Sequence, residues 1–204
     1  MTRPQHADSE EPQDTHFVLL PTTDWARPRA YRVGGPDLNL MDGTLVDPPA
    51  SPFQFELRAD SEARDPAGWP LLDLYDEGHG RLLVSPGLVL ALQEIGVDNV
   101  QLFSCETTCA LTRARVEYHV ANIVGLIKAV DLAKSTCDVD ENGAVETVYR
   151  FRFDCPRIST FDIFRMWEAR SIIVVSRRVK ETLQVRGSTG MRFLRDVEWE
   201  PGLI

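Results

Sequence analysis

The sequence predicts an α+β fold: an antiparallel or mixed sheet built on two related strand-helix-strand units, with an irregular N-terminal segment. Three observations carry this reading. Leu82 to Gly96 reads LLVSPGLVLALQEIG, and 91 residues later Ile173 to Gly187 reads IVVSRRVKETLQVRG. Val84, Ser85, Leu92, Gln93 and Gly96 thereby fall on Val175, Ser176, Leu183, Gln184 and Gly187 without a gap. FQFELR (53–58) and AVETVYRFRF (144–153) alternate with the period of half-buried strands. Prolines at 21, 28, 36, 48, 49, 52, 66 and 70 break the chain between Phe17 and Gly80, leaving FQFELR as the one clear strand there.

Residues 1–15 are polar, acidic and aperiodic, which predicts a disordered tail. Residues 16–80 form the irregular segment, a loop-rich wrap, and 81–204 the main α+β domain. In each repeated unit three apolar, β-prone residues lead to a serine whose hydroxyl can accept from the first helical amides. Pro86 then occupies a first helical position, where its missing amide costs nothing. Gly96 and Gly187 supply the left-handed stop. Any strand-helix unit would carry such caps and stops; the gapless Val-Ser and Leu-Gln matches favour duplication.

The first helix is apolar nearly all round (Leu88, Val89, Leu90, Ala91, Leu92, Ile95), which predicts burial on most sides. The second carries Arg177, Arg178, Lys180, Glu181, Gln184 and Arg186 and reads as an amphipathic surface helix. Between them come QLFS (101–104), a strand around RVEYHVANI (115–123) and a turn or short helix in GLIKAVDLAKST. In AVETVYRFRF, Tyr149, Phe151 and Phe153 share the predicted core face and Arg150 and Arg152 the wet one. ISTFDIFRMWEA (158–169) fits helix or strand, and the second unit ends in MRFLRDVEW.

The net charge of −9 is uneven: residues 1–100 hold seven Arg and no Lys against 17 Asp and Glu, whereas 101–204 are close to neutral. An acidic front half repels phosphate backbones, which argues against direct nucleic-acid binding and for a basic protein partner; plain solubility explains the same charge. No apolar run is long enough to cross a membrane, and MTRPQHADSEEPQDTH lacks the cationic and apolar regions of a secretory signal, so a cytoplasmic protein is expected.

Cys105, Cys109, Cys137 and Cys155 are too few and too irregular for a disulfide scaffold, and no second close pair completes a zinc set with Cys105 and Cys109. DVDENGAVETVY (138–149) places Asp138, Asp140, Asn142 and Gly143 like the start of a calcium loop. Its twelfth position is Tyr149 where a bidentate glutamate belongs, and an Asn-Gly turn between paired strands explains the same letters. No metal or cofactor is therefore expected. No phosphate loop, dinucleotide fingerprint, zinc-protease helix or nucleophile elbow occurs. His6 and His16 lie in or beside the tail and His119 in a strand. His79, in YDEGHGR beside Asp76 and Glu77, is the candidate acid or base of a small hydrolase, or part of a polar loop. The balance favours binding over turnover. The acidic residues Asp73, Asp76 and Glu77 with Tyr75, and Asp138, Asp140 and Glu141, are the candidate partner-binding residues, with Trp69 a further aromatic anchor.

YHVANIVGLIKAVDLAKST (118–136) followed by IFRMWEARSIIVVSRRVKETLQVRGSTGMRFLRDVEW (163–199) resembles immunity family eleven, bacterial immunity domains of polymorphic toxin systems. The resemblance rests on Tyr118, Asn122, Asp131, Lys134, Ser135, Arg165, Val175, Ser176, Thr189, Gly190, Met191 and Phe193, and covers about residues 80 to 199. FLRDVEW stands where the family has Phe-x-Pro-Val. The resemblance implies a non-enzymatic protein that binds and neutralises a cognate toxin. A basic nuclease fits the charge. The other reading from the binding class is a secretion adaptor that escorts its partner with the partner's active site left open.

Overall fold

The computed structural model describes residues 15–22, 28–58, 70–78, 80–142 and 144–202. Among the described residues, fourteen strands and three short α-helices form two sheets and a separate hairpin, an α+β architecture as the sequence predicts.

The first repeat opens on β4 (Leu74–Asp76), which pairs antiparallel with β5 (Leu82–Val84). Ser85 then caps α1 (Pro86–Glu94), its hydroxyl accepting from the Leu88 amide at 3.1 Å. After Gly96 the chain enters β6 (Val100–Cys109), which lies beside β8 (His119–Ile123), itself paired with β5. The second repeat follows the same path. β12 (Ile163–Met166) pairs with β13 (Ala169–Ser176), Ser176 caps α3 (Arg177–Val185), and β14 (Met191–Leu194) follows Gly187. In both, an aspartate before the hairpin ties its far end to the helix. Asp73 accepts the Ser85 hydroxyl at 2.6 Å and Asp162 the Ser176 hydroxyl at 2.6 Å, while their carbonyls accept from the Ser85 and Ser176 amides. Burial works against the Asp162 anion, yet hydrogen bonds from Arg178 and Ser176 hold its carboxyl below the ordinary range.

Three strands of each sheet match in register. Leu82 opposes Ala121 as Ile173 opposes Leu19, and Leu102 opposes Ala121 as Phe193 opposes Leu19. The strand equivalent to β8 is therefore not C-terminal to β14. It is β1 (His16–Pro21), which inserts between β13 and β14. Of the segment that the sequence reads as loop-rich, residues 16–80, β1, β2 (Arg29–Gly34), β3 (Phe53–Arg58) and β4 are all sheet members. FQFELR, which forms β3, is legible in the sequence; β1 pairs only with strands more than 150 residues away, and local proline content conceals β2 and β4.

The inner faces of both sheets and one side of each helix share a central core that includes Phe17, Leu74, Leu82, Leu88, Ile173 and Val179. Outer faces are covered differently. β6 runs on beyond β8 and pairs through its second half with β3, so the sheet curls and Phe53 and Phe55 close over Leu83, Phe103 and Val120. Over the second sheet lie Val148, Phe151, Phe153, Ile158 and Trp199, from the hairpin β10 (Thr136–Val139) and β11 (Val145–Arg150), α2 (Cys155–Ile158) and the chain end. The ambiguous stretch 158–169 resolves into the end of α2 and β12. In β11 the phase differs from the sequence reading: Val148 is buried and Tyr149 exposed, because the strand stops at Arg150 before Phe151 and Phe153 turn inward. α1 also departs from expectation. It buries Leu88, Ala91 and Leu92 on one face and leaves Leu90 54% exposed, since core lies on one side only.

Replacing Ser85 or Ser176 by alanine removes a cap and one hydrogen bond to the paired aspartate. Each variant should lose about 1 kcal/mol or more in urea unfolding, and by similar amounts if the two caps are equivalent. His16 is 3% exposed, donating from Nε2 to the Phe161 carbonyl at 2.9 Å; burial pulls its pKa below the ordinary value, against the opposing pull of that bond and of Asp162. The unfolded chain then takes up the proton first as pH falls. Stability should decline below about pH 6.5, and His16→Gln should flatten that decline between pH 7 and 5 in denaturation midpoints.

Candidate functional site

The acidic residues singled out in the sequence fall in two places. Asp73 is occupied structurally: besides Ser85 it accepts from the Thr189 amide at 2.8 Å and the Thr189 hydroxyl at 3.0 Å. Tyr75 is 4% exposed and stacks edge-on against Tyr118, its hydroxyl accepting from the Leu72 amide at 3.0 Å. In this conformation its side chain offers no anchor to a partner. Glu77 accepts from Arg81 at 2.6 Å, with only 6% of its side chain exposed. Asp76 alone of this group is exposed.

Asp138, Asp140 and Glu141 belong to the β10–β11 hairpin. Asp138 is exposed and accepts the Tyr149 hydroxyl at 2.6 Å, a bond that raises the pKa of the phenol. Asp140 turns its carboxylate onto the amides of Asn142 and Ala144 at 2.9 and 2.7 Å, and Glu141 is exposed at the turn. A strand follows where a calcium loop requires a helix. Trp69, His79 and Gly143 lie outside the described residues. Among the described residues no three His, Cys, Asp or Glu are grouped to hold a metal ion. All four cysteines are free thiols, and burial raises the pKa of Cys105.

The first acidic group sits on a platform assembled from four chain segments, and two buried arginines hold it together. Arg81, 5% exposed, pairs with Glu77 and, at 2.8 Å, with Asp37. Arg165 is fully buried in β12 and donates to the Gly80 carbonyl at 2.7 Å and the Arg170 carbonyl at 3.1 Å, joining the turns of the two hairpins. No carboxylate meets it at hydrogen-bonding distance among the described residues; burial lowers its pKa to about 10 against the pull of Asp76, which leaves it cationic at neutral pH. Gly80, at φ 74°, has no room for a Cβ beside Met41, and the Gly125 amide donates to the Gly43 carbonyl at 2.8 Å. These contacts seat the loop 37–43 against both turns.

On this platform Trp167 is 47% exposed, its ring flanked by Lys128 at 5.8 Å and Arg170 at 5.6 Å. Arg170 also forms an ion pair with Asp42. The Asp37 side chain is 84% exposed while it pairs with Arg32 and Arg81, and Asp76 is exposed at the end of β4. Trp167, Lys128, Asp37 and Asp42 escape the sequence reading because they come from three separate segments. The one available signal is the position of Trp167 in the MWEA turn just upstream of the second repeat.

No described helix is long and apolar enough to cross a membrane. No curated protein matches the chain. The model of the Immunity protein family (Imm11) matches residues 6–198, so the match takes in β1 to β4 as well as the region of resemblance from Gly80 onward. Several of the residues that carry the resemblance build the frame. Asp131 accepts from the Ala133 amide, Tyr118 donates to the Leu72 carbonyl, Arg165 joins the two turns and Ser176 caps α3. With a match over nearly its whole length, the chain belongs to the Imm11 family of immunity proteins.

Proposed function

We propose that this protein neutralises a cognate toxin as a stoichiometric, non-catalytic inhibitor acting in the cytoplasm, and that it engages the toxin through the Trp167 platform. Family membership supports a toxin as partner. The observation that carries the choice of surface is the half-exposed Trp167, linked through Arg170 to Asp42 on a base fixed by buried arginines. Tryptophan is among the side chains most often found at the energetic centre of interfaces, and a rigid base limits the entropy lost on docking. The carboxylates would speed encounter with a basic toxin, and a nuclease with a phosphate-binding cleft is the kind of toxin that fits. Asp138 and Glu141, exposed on the β10–β11 hairpin, form a second acidic contact in this reading.

The product of the open reading frame next to this one, assayed first for toxicity, is the binding partner in the test. Trp167→Ala should weaken the complex at least tenfold, about 1.4 kcal/mol or more, with an unchanged melting temperature. Asp42→Asn with Asp76→Asn, and separately Asp138→Lys with Glu141→Lys, should slow association at low salt and leave a shallower salt dependence. Wild-type affinity and cell protection in all three variants would remove this surface from the account. Toxin that stays active inside the complex would point to the adaptor reading, and loss of protection in His79→Ala with binding intact would point to the hydrolase.

A further inference from the structure

We infer that the space between the two repeats is a binding site for a small aliphatic molecule whose polar head donates hydrogen bonds, such as a medium-chain alcohol or alkylammonium. A cavity of about 390 Å³ lies between α1, α3 and the inner faces of both sheets. Apart from Gln93, Gly96 and Asp98 its lining is entirely Leu, Val, Ile, Ala and Met, with no aromatic side chain. Natural cores pack to crystal density and seldom leave voids much larger than a water molecule. An apolar void of roughly 150 Å³ already stays dry and takes up benzene. This one is well over twice that size and lies within the range of small-molecule sites.

Its polarity is arranged at one end. Gln93 and Asp98, both exposed, stand where α1 runs out into the loop before β6, and half-buried Val89, Val100 and Leu102 line the way inward. The Asp98 carboxylate has no hydrogen bond or ion pair among the described residues, and no cation lines the cavity. A carboxylate there repels a fatty acid and accepts from a hydroxyl or ammonium head.

The internal symmetry shows why the site opens on one side only. Thr189 occupies the place of Asp98 in the second repeat, where its amide and hydroxyl are tied to Asp73 and its carbonyl accepts from the Leu74 amide. That end is sealed by the β4 hairpin. At the other end Asn99 binds the carbonyls of Val124 and Ile163 and leaves Asp98 facing solvent.

The test uses the purified full chain with 1-octanol, octylammonium and octanoate, read by calorimetry and thermal shift. Octanol and octylammonium should bind saturably at one per chain and raise the melting temperature by a few degrees, whereas octanoate should not. Ala121→Leu, which fills the space from β8, should abolish binding. Asp98→Lys changes an exposed, unpaired side chain and should fold normally; it should reverse the preference, admitting octanoate and rejecting octylammonium. No saturable binding of octanol to the wild type, or equal binding of octanoate, overturns the inference. So does octanol binding that survives in a folded Ala121→Leu variant. Expulsion of bound octanol by the cognate toxin would assign the space to a toxin side chain and overturn the small-molecule reading.

Discussion

The fold depends on one strand being in the right place. β1 lies between β13 and β14 and exchanges backbone hydrogen bonds with both, so that β14 has no other route into its sheet. Phe17 and Leu19 face the central core from this strand while Val18 and Leu20 face the outer one. The C-terminal repeat is therefore incomplete until residues near the N-terminus arrive. A sheet closed by its two chain ends is a long-range structure, with loop-closure entropy met before the ladder forms. In the first repeat β8 fills the same position from within, which makes that half the more local of the two.

Duplication explains the frame, and divergence explains what covers it. Both repeats keep the aspartate, the serine cap, the glycine stop and the strand register, because each satisfies backbone groups that burial would otherwise leave unpaired. The outer faces carry no such constraint beyond being apolar. One is closed by the curl of its own sheet and the other by an inserted hairpin, a short helix and Trp199. Family resemblance follows the frame for the same reason: Tyr118, Arg165 and Ser176 hold structure, and their identity says little about a partner.

Electrostatics divides similarly between structural and free charge. Glu77, Asp73 and Asp162 look in sequence like surface acidity, yet each is consumed by an arginine, a serine or a backbone amide. Arg165 carries the largest burden. A cation held by carbonyls rather than by a carboxylate keeps its charge at a desolvation cost, and its place between the two hairpin turns makes it the joint of the platform around Trp167.

Sequence alone determined the repeat, its caps and stops, the α+β class, the α3 surface helix and the family, because all of these are written in short-range pattern: side-chain period, cap chemistry and residue order. It reads Asp76 and Glu77 as part of a polar loop, where the structure has the β4–β5 hairpin. Tertiary structure decided which strands pair, that the proline-broken segment holds three strands besides FQFELR, that Tyr75 is core, and that Arg170 links Trp167 to Asp42. Apart from the local β4–β5 hairpin, those outcomes rest mainly on contacts between residues tens to more than a hundred positions apart, and no local window contains both partners.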